Sequence, residues 1–174
     1  MSGTKRLFVL RHAKSSWDDP GLDDHERPLA PRGQRAAQVL AEHLRVNGIR
    51  PALVLCSSSR RTRETLDGIS PDGQRVIEPE LYSASGTEVI DRLRRVPEET
   101  PSVMVIGHNP AMQTLVLRLA AASASSDGSE LPAVQRKFPT GALATLTFAG
   151  RWSELGPGCA QLTVFVRPKA LARG

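Results

Sequence analysis

Five short apolar runs punctuate the chain: RLFVL at 6–10, PALVLC at 51–56, SVMVIG at 102–107, ALATLTF at 142–148 and QLTVFV at 161–166. Each has the length of a strand. Their apolar positions are continuous rather than alternating, the pattern of strands buried on both faces. The segments between them follow the helical period. In PRGQRAAQVLAEHLRVNG (31–48), Ala36, Val39, Leu40 and Leu44 recur on one helix face, and Asn47 and Gly48 supply a stop signal. SRRTRETLDGI (59–69), GTEVIDRLRRV (86–96) and NPAMQTLVLRLAAA (109–122) read as further helices, the last with Asn109 as N-cap and Pro110 at the first helical position. Strands alternating with helices predict an α/β fold, a single-domain three-layer α/β/α sandwich with a mostly parallel central sheet spanning 1–174. SASSDGSE at 123–130 is too short to separate domains and is expected to form a surface loop.

Composition narrows the class without changing the fold. A chain of 174 residues with 40% hydrophobic residues can bury a core without covalent staples. No apolar run reaches 18 residues, and MSGTKRLFVLRH lacks the apolar stretch and cleavage site of a signal peptide, so a cytoplasmic protein without membrane association is expected. Cys56 and Cys159 stand far apart with no CxxC or Cys/His spacing, which argues against a disulfide framework or structural zinc. The formal charge of +5 favours an anionic partner, whether nucleic acid, an acidic lipid surface or a phosphorylated substrate. Its distribution discriminates among these. RRTRET and DRLRRV are short and interrupted by acids, and aromatic side chains able to stack on bases are few, so a dedicated nucleic-acid binder is not expected.

The chemistry gathers where the predicted strands end. Ligands of open α/β sheets bind at the carboxyl ends of the strands. The first run ends on Arg11 and His12, the third on His108 before a helix start, and the second leads into SSSRRTRET with Arg60 and Arg61. Helix N-termini attract anions through free N–H groups and a partial positive charge. The simplest common target is a phosphoryl group.

LRHAKSS, SSSRRTRET and IGHNP in this order, with ERPLAPRG and FPTGA, resemble the histidine phosphatase superfamily over nearly the whole chain, most closely its SixA-type branch. The resemblance implies an α/β sandwich and a reaction through a phosphorylated histidine that needs no metal or other cofactor. It implies that His12 is the nucleophile and that Arg11 and Arg61 bind phosphate. His108 would hold the phosphoryl oxygens, and Arg27 would add a further contact. Matching Thr65 to the family threonine selects Arg61 and leaves Arg60 as the variable position. Outside the resemblance, Arg27 reads as a solvated turn residue, and His25 and His43 as exposed. Trp17 reads as either a packing anchor or part of the site's mouth, and Cys56 as a small buried hydrophobe. Arginines beside His12 would lower its pKa by like-charge repulsion. His12 and His108 could instead bind a metal, although adjacent arginines oppose a cation.

Relatives that cleave esters carry a mid-chain Glu acid, for which Glu78 and Glu80 are candidates, with Glu80 the one to test. The surrounding LYSAS looks more like the SixA continuation. The expected partner is a phosphorylated protein bearing phosphohistidine. The alternatives are a small phosphate ester, or a non-catalytic module that binds phosphate or nucleic acid.

Overall fold

The computed structural model describes residues 3–120 and 130–171. Six strands form one sheet: β1 (Thr4–Arg11), β2 (Leu53–Ser57), β3 (Gln74–Glu78), β4 (Ser102–Gly107), β5 (Leu143–Ala149) and β6 (Gln161–Val166). Their order is β3-β2-β4-β1-β5-β6. The four strands from β3 to β1 are mutually parallel, while β5 and β6 add antiparallel neighbours at one side. The mostly parallel sheet of the sequence reading therefore stands, with an antiparallel flank.

Helices cover both faces: α1 (Pro31–Val46), α2 (Arg60–Ile69), α3 (Gly86–Leu93), α4 (Ala111–Ala120), α5 (Leu131–Arg136) and α6 (Pro168–Leu171). Alternation along β1 divides the core. Phe8 and Leu10 join Ala37, Leu40 and Leu44 of α1 and Leu66 and Ile69 of α2, whereas Leu7 and Val9 join residues of α3, α4 and α5. This is a three-layer sandwich. Among the described residues no helix is long and apolar enough to cross a membrane. The predicted loop at 123–130 lies, except for Glu130, outside the described residues, as do Ala121 and Ala122 of the last predicted helix.

Several expectations shift by a residue or a helix face. The buried stripe of α1 is Gly33, Ala37, Leu40 and Leu44, while Ala36 and Val39 are only half-buried. Close approach by small residues turns the helix. A Cβ at Gly33 would stand 2.1 Å from the Lys14 carbonyl oxygen, and one at Gly68 of α2 would stand 2.7 Å from the Ala37 Cβ. The loop after β1 thus rests directly on α1. Helix α4 begins at Ala111, later than the Asn-Pro pair suggests: Asn109 Oδ1 accepts the Gln113 N–H at 3.3 Å, and its Nδ2 donates to the Phe138 carbonyl. Strand β3 was not predicted, because QRVIE is an edge strand with Ile77 exposed and only Val76 and Glu78 half-buried.

Candidate active site

Three adjacent parallel strands end at one edge, since Arg11 pairs with Gly107 and Cys56 with Ile106. That register brings Arg11 and His12, His108, and Ser57 together beside the start of α2. The turn FPTGA fixes the end of β1. Gly141, at φ +76°, turns its N–H toward the carbonyls of Arg11 and His12 at 3.0 and 2.9 Å. Left-handed backbone there suits glycine. The Phe138 carbonyl accepts Arg11 Nη1 at 3.0 Å and Asn109 Nδ2 at 2.9 Å, so this turn also aims the guanidinium.

His12 is buried, and its Nδ1 lies 2.7 Å from the Ala13 carbonyl. A carbonyl only accepts, so Nδ1 carries the proton and Nε2 keeps the lone pair. The next backbone N–H, that of Ala13, donates to Thr65 Oγ1 at 3.0 Å, tying the residue after His12 to α2. The His12 and His108 rings lie 5.3 Å apart, centre to centre. His108 Nε2 is 2.8 Å from Ser57 Oγ, and Arg61 Nη2 approaches His108 Nδ1 at 3.5 Å. Because the guanidinium can only donate, His108 Nδ1 faces it as acceptor and Nε2–H donates to Ser57.

Arg61 is buried at the first turn of α2, where Ser59 caps the helix by accepting the Thr62 N–H. Arg60 points outward and pairs with Glu64 at 3.0 Å. The structure therefore brings Arg61, and not Arg60, to His12 and His108. Arg11 Nε and Arg61 Nε are buried without a hydrogen-bond partner. A buried, unpaired guanidinium nitrogen is costly unless a ligand completes it. Two such nitrogens beside His12 and His108 are suited to the oxygens of an anion.

Arg27 is also buried, contrary to the solvated turn residue its loop suggested. Its Nε donates to Asp24 Oδ1 and its Nη1 to Ser15 Oγ and the Ser16 carbonyl, while Trp17 lies 3.5 Å beneath Cζ. Trp17 is thus no core anchor: it remains 71% exposed and covers the guanidinium face. His25, expected in solvent, is half-buried. Its Nδ1 donates to Glu26, its Nε2 meets Ser58 Oγ at 2.9 Å, and Tyr82 packs edge-on at 4.9 Å. His43 is half-buried on α1, where its Nδ1 meets Asn47 Nδ2.

Sequence reasoning missed Ser57, Asp24 and Tyr82. Asp24 lay unmarked in the charged loop DDHERP, where its position three residues before Arg27 was the available signal. The Tyr82 ring stands against His108 at 5.5 Å, and its hydroxyl donates to Asp24 Oδ2.

The acid candidates separate from this cluster. Glu78 is bound by Arg92, whose Nε donates to both carboxylate oxygens at 2.8 Å. Glu80 is exposed and lines an outer groove with Glu78, Arg92 and Arg95. Cys56 is buried, with its thiol pushed up to about 12 chiefly by burial, so no thiolate forms there at neutral pH.

Both histidines are held neutral. Burial is the largest cause that brings His12 down to about 3, with His108, Arg61 and Arg11 adding like-charge repulsion against the opposing Ala13 bond. Desolvation therefore outweighs the arginine repulsion invoked from the sequence. His108 is brought to about 4, again mainly by burial and then by Arg61. Below the unfolded value near 6.5, the unfolded chain takes up protons at these rings that the folded protein refuses, so stability falls as pH drops from about 6.5 toward 4. The urea midpoint is expected to fall between pH 7 and pH 5, and to fall less in His12→Asn. An equal pH slope in both proteins would contradict the assignment.

Fold and site define an α/β protein whose strand ends gather neutral histidines with the buried Arg61 and the half-buried Arg11. Residues 7–85 match the model of the histidine phosphatase superfamily (branch 1). The uncharacterized protein MT1313 of Mycobacterium tuberculosis is 39% identical over 160 residues, covering 92% of this chain and 100% of that one. The SixA protein of Nakamurella multipartitia, 31% identical, superposes with a TM-score of 0.85 over 96% of this chain and 98% of that one. A SixA protein of Agrobacterium tumefaciens gives 0.79 at 29% identity, over 96% and 100%. The chain belongs to the histidine phosphatase superfamily and is of its SixA type. It is a phosphatase.

Proposed function

We propose that this phosphatase removes the phosphoryl group from phosphohistidine on a protein, through a phosphorylated His12 and without a metal. The observation that carries the reading is the neutral, buried His12 with its Nε2 lone pair free, set beside Arg11 Nε and Arg61 Nε, which are buried and unpaired. Nε2 attacks phosphorus, the Nε2–P bond forms, and the bond from phosphorus to the substrate nitrogen breaks with its electron pair on that nitrogen. Water then attacks the phosphorus, the Nε2–P bond breaks, and inorganic phosphate leaves neutral His12 behind. Arg11 and Arg61 match the phosphoryl oxygens with planar forks and supply the fixed charge that a metal supplies elsewhere. His108 contacts the same oxygens, and an arriving dianion raises its proton affinity, so Nδ1 can become a donor while Ser57 keeps accepting Nε2–H. Arg27 adds positive charge across Asp24 from Arg61.

The placement of the carboxylates supports this substrate class. An ester oxygen leaves slowly without a proton donor, whereas imidazole leaves readily once protonated from water or substrate. Glu78 is committed to Arg92 and Glu80 faces the outer groove, while Asp24 is held below the usual carboxylate range, first by the Tyr82 hydroxyl and also by Arg61 and Arg27. None is a ready acid. The similar Nakamurella multipartitia protein is described as a putative phosphohistidine phosphatase SixA, which agrees with this reading.

Turnover of a phosphohistidine protein is therefore expected to exceed that of phosphoserine and small phosphate esters by about 10²-fold or more, the usual minimum cost of lost acid assistance. Chelators are expected to leave the rate unchanged. Faster ester hydrolysis that Glu80→Gln abolishes would instead establish the small-ester reading with Glu80 as acid. Loss of both activities on chelation would end the metal-free mechanism.

A further inference from the structure

Among the described residues, four hydrogen bonds from side chains around the site converge on Asp24, besides the Arg27 main-chain N–H on its carbonyl. Its main-chain carbonyl accepts Arg61 Nη1 at 2.7 Å, and its Oδ2 accepts Arg61 Nη2 at 2.9 Å. Oδ2 also takes the Tyr82 hydroxyl, and Oδ1 takes Arg27 Nε at 3.1 Å. One residue thus grips the end of the Arg61 fork through both main chain and side chain, and joins that fork to Arg27. The guanidinium is planar, so fixing its two terminal nitrogens fixes the direction of Nε as well. That Nε is the buried, unpartnered one.

We infer that Asp24 is the positioning residue of the anion site: it holds the end of the Arg61 guanidinium so that the Nε edge stays presented to the phosphoryl group. The inference rests on the phosphoryl-site reading above. A long arginine side chain loses much rotamer freedom when it is fixed on a ligand, and Asp24 has fixed it beforehand. A carboxylate beside an anion site has a second, opposite effect, because it repels the incoming phosphate. Its half-exposed position lets water screen that repulsion, whereas Arg61 is buried in its grip. Orientation therefore dominates, and this fixes the sign of the effect.

The test measures inorganic phosphate binding by titration calorimetry, together with kcat and KM on a phosphohistidine protein, in the wild type, Asp24→Asn, Arg61→Ala and the double variant. Asp24→Asn is close in size but lacks the charge and one acceptor. Phosphate affinity is expected to fall about tenfold, as for loss of one charge-assisted hydrogen bond, and kcat/KM by at least as much. In the Arg61→Ala background the same substitution is expected to change phosphate affinity less than about twofold, because residues acting through one another are non-additive. Tyr82→Phe, which removes one donor to Oδ2 and keeps the ring, should weaken phosphate binding in the same direction and by less. Tighter phosphate binding in Asp24→Asn, or an undiminished loss in the Arg61→Ala background, overturns the inference while leaving the phosphoryl site standing. Failure of the wild type to bind phosphate overturns both.

Discussion

His12→Ala is expected to reduce turnover to background, a loss of about 10⁴-fold or more, as when the nucleophile of other covalent hydrolases is removed. Alanine cannot form the bond to phosphorus, and no other group in the cluster replaces it. His108 is oriented differently: its Nδ1 faces the Arg61 guanidinium and its Nε2 is engaged with Ser57. Cys56, although close to the edge, is buried as a protonated thiol. The variant should still fold, since removing His12 also removes a ring whose charged form the interior refuses. It should also keep measurable phosphate binding, because the two guanidinium groups remain. Retained turnover, checked against a phosphohistidine protein with thermal unfolding as the folding control, would place the nucleophile elsewhere.

Arg61→Ala is expected to lower kcat/KM by about 10²- to 10³-fold, the scale seen when one preorganised donor to a transition state is deleted. Arg60→Ala is expected to change it less than about threefold. The contrast follows from two consecutive residues at one helix start. Arg61 is buried, reaches His108 and leaves Nε unpaired, whereas Arg60 lies on the surface against Glu64. An exposed i,i+4 ion pair contributes only about 0.3–0.5 kcal/mol, so its loss should leave the site intact. Steady-state kinetics of the two variants side by side decide the matter. A larger loss at Arg60 would contradict the placement of Arg61.

The gathering of these residues was legible because it is built into strand ends. Continuous apolar runs located β1, β2 and β4, and the rule that ligands collect at their carboxyl ends brought out Arg11, His12, Arg60, Arg61 and His108 together; only the family resemblance at Thr65 chose Arg61 over Arg60. Their proximity is then a consequence of parallel register, with Arg11 opposite Gly107. What stayed hidden depends on tertiary contact. On α1 the expected core positions Leu40 and Leu44 are buried, while Gly33 and Ala37 were missed because close approach to Lys14 and Gly68, rather than apolar periodicity, selects them. β3 escaped notice because an edge strand buries too little to look like a strand. Arg27 looked solvated because nothing local shows that Trp17 and Ser15 enclose it. Asp24 and Tyr82 are separated by 58 positions, and only the folded chain brings the hydroxyl to the carboxylate. Periodicity reports burial along one element, while a polar network across loops leaves almost no periodic trace.

The central claim, transfer of the phosphoryl group to His12 Nε2, is met most directly by rapid quenching of the wild type with a phosphorus-labelled phosphohistidine protein, followed by peptide mapping under alkaline conditions. The hydrogen bond from Nδ1 to the Ala13 carbonyl leaves Nε2 as the attacking atom, so the account predicts an alkali-stable, acid-labile label on His12, attached at Nε2. It should form and decay at least as fast as turnover. Label on another residue, attachment at Nδ1, or inorganic phosphate released before any labelled enzyme forms would contradict it.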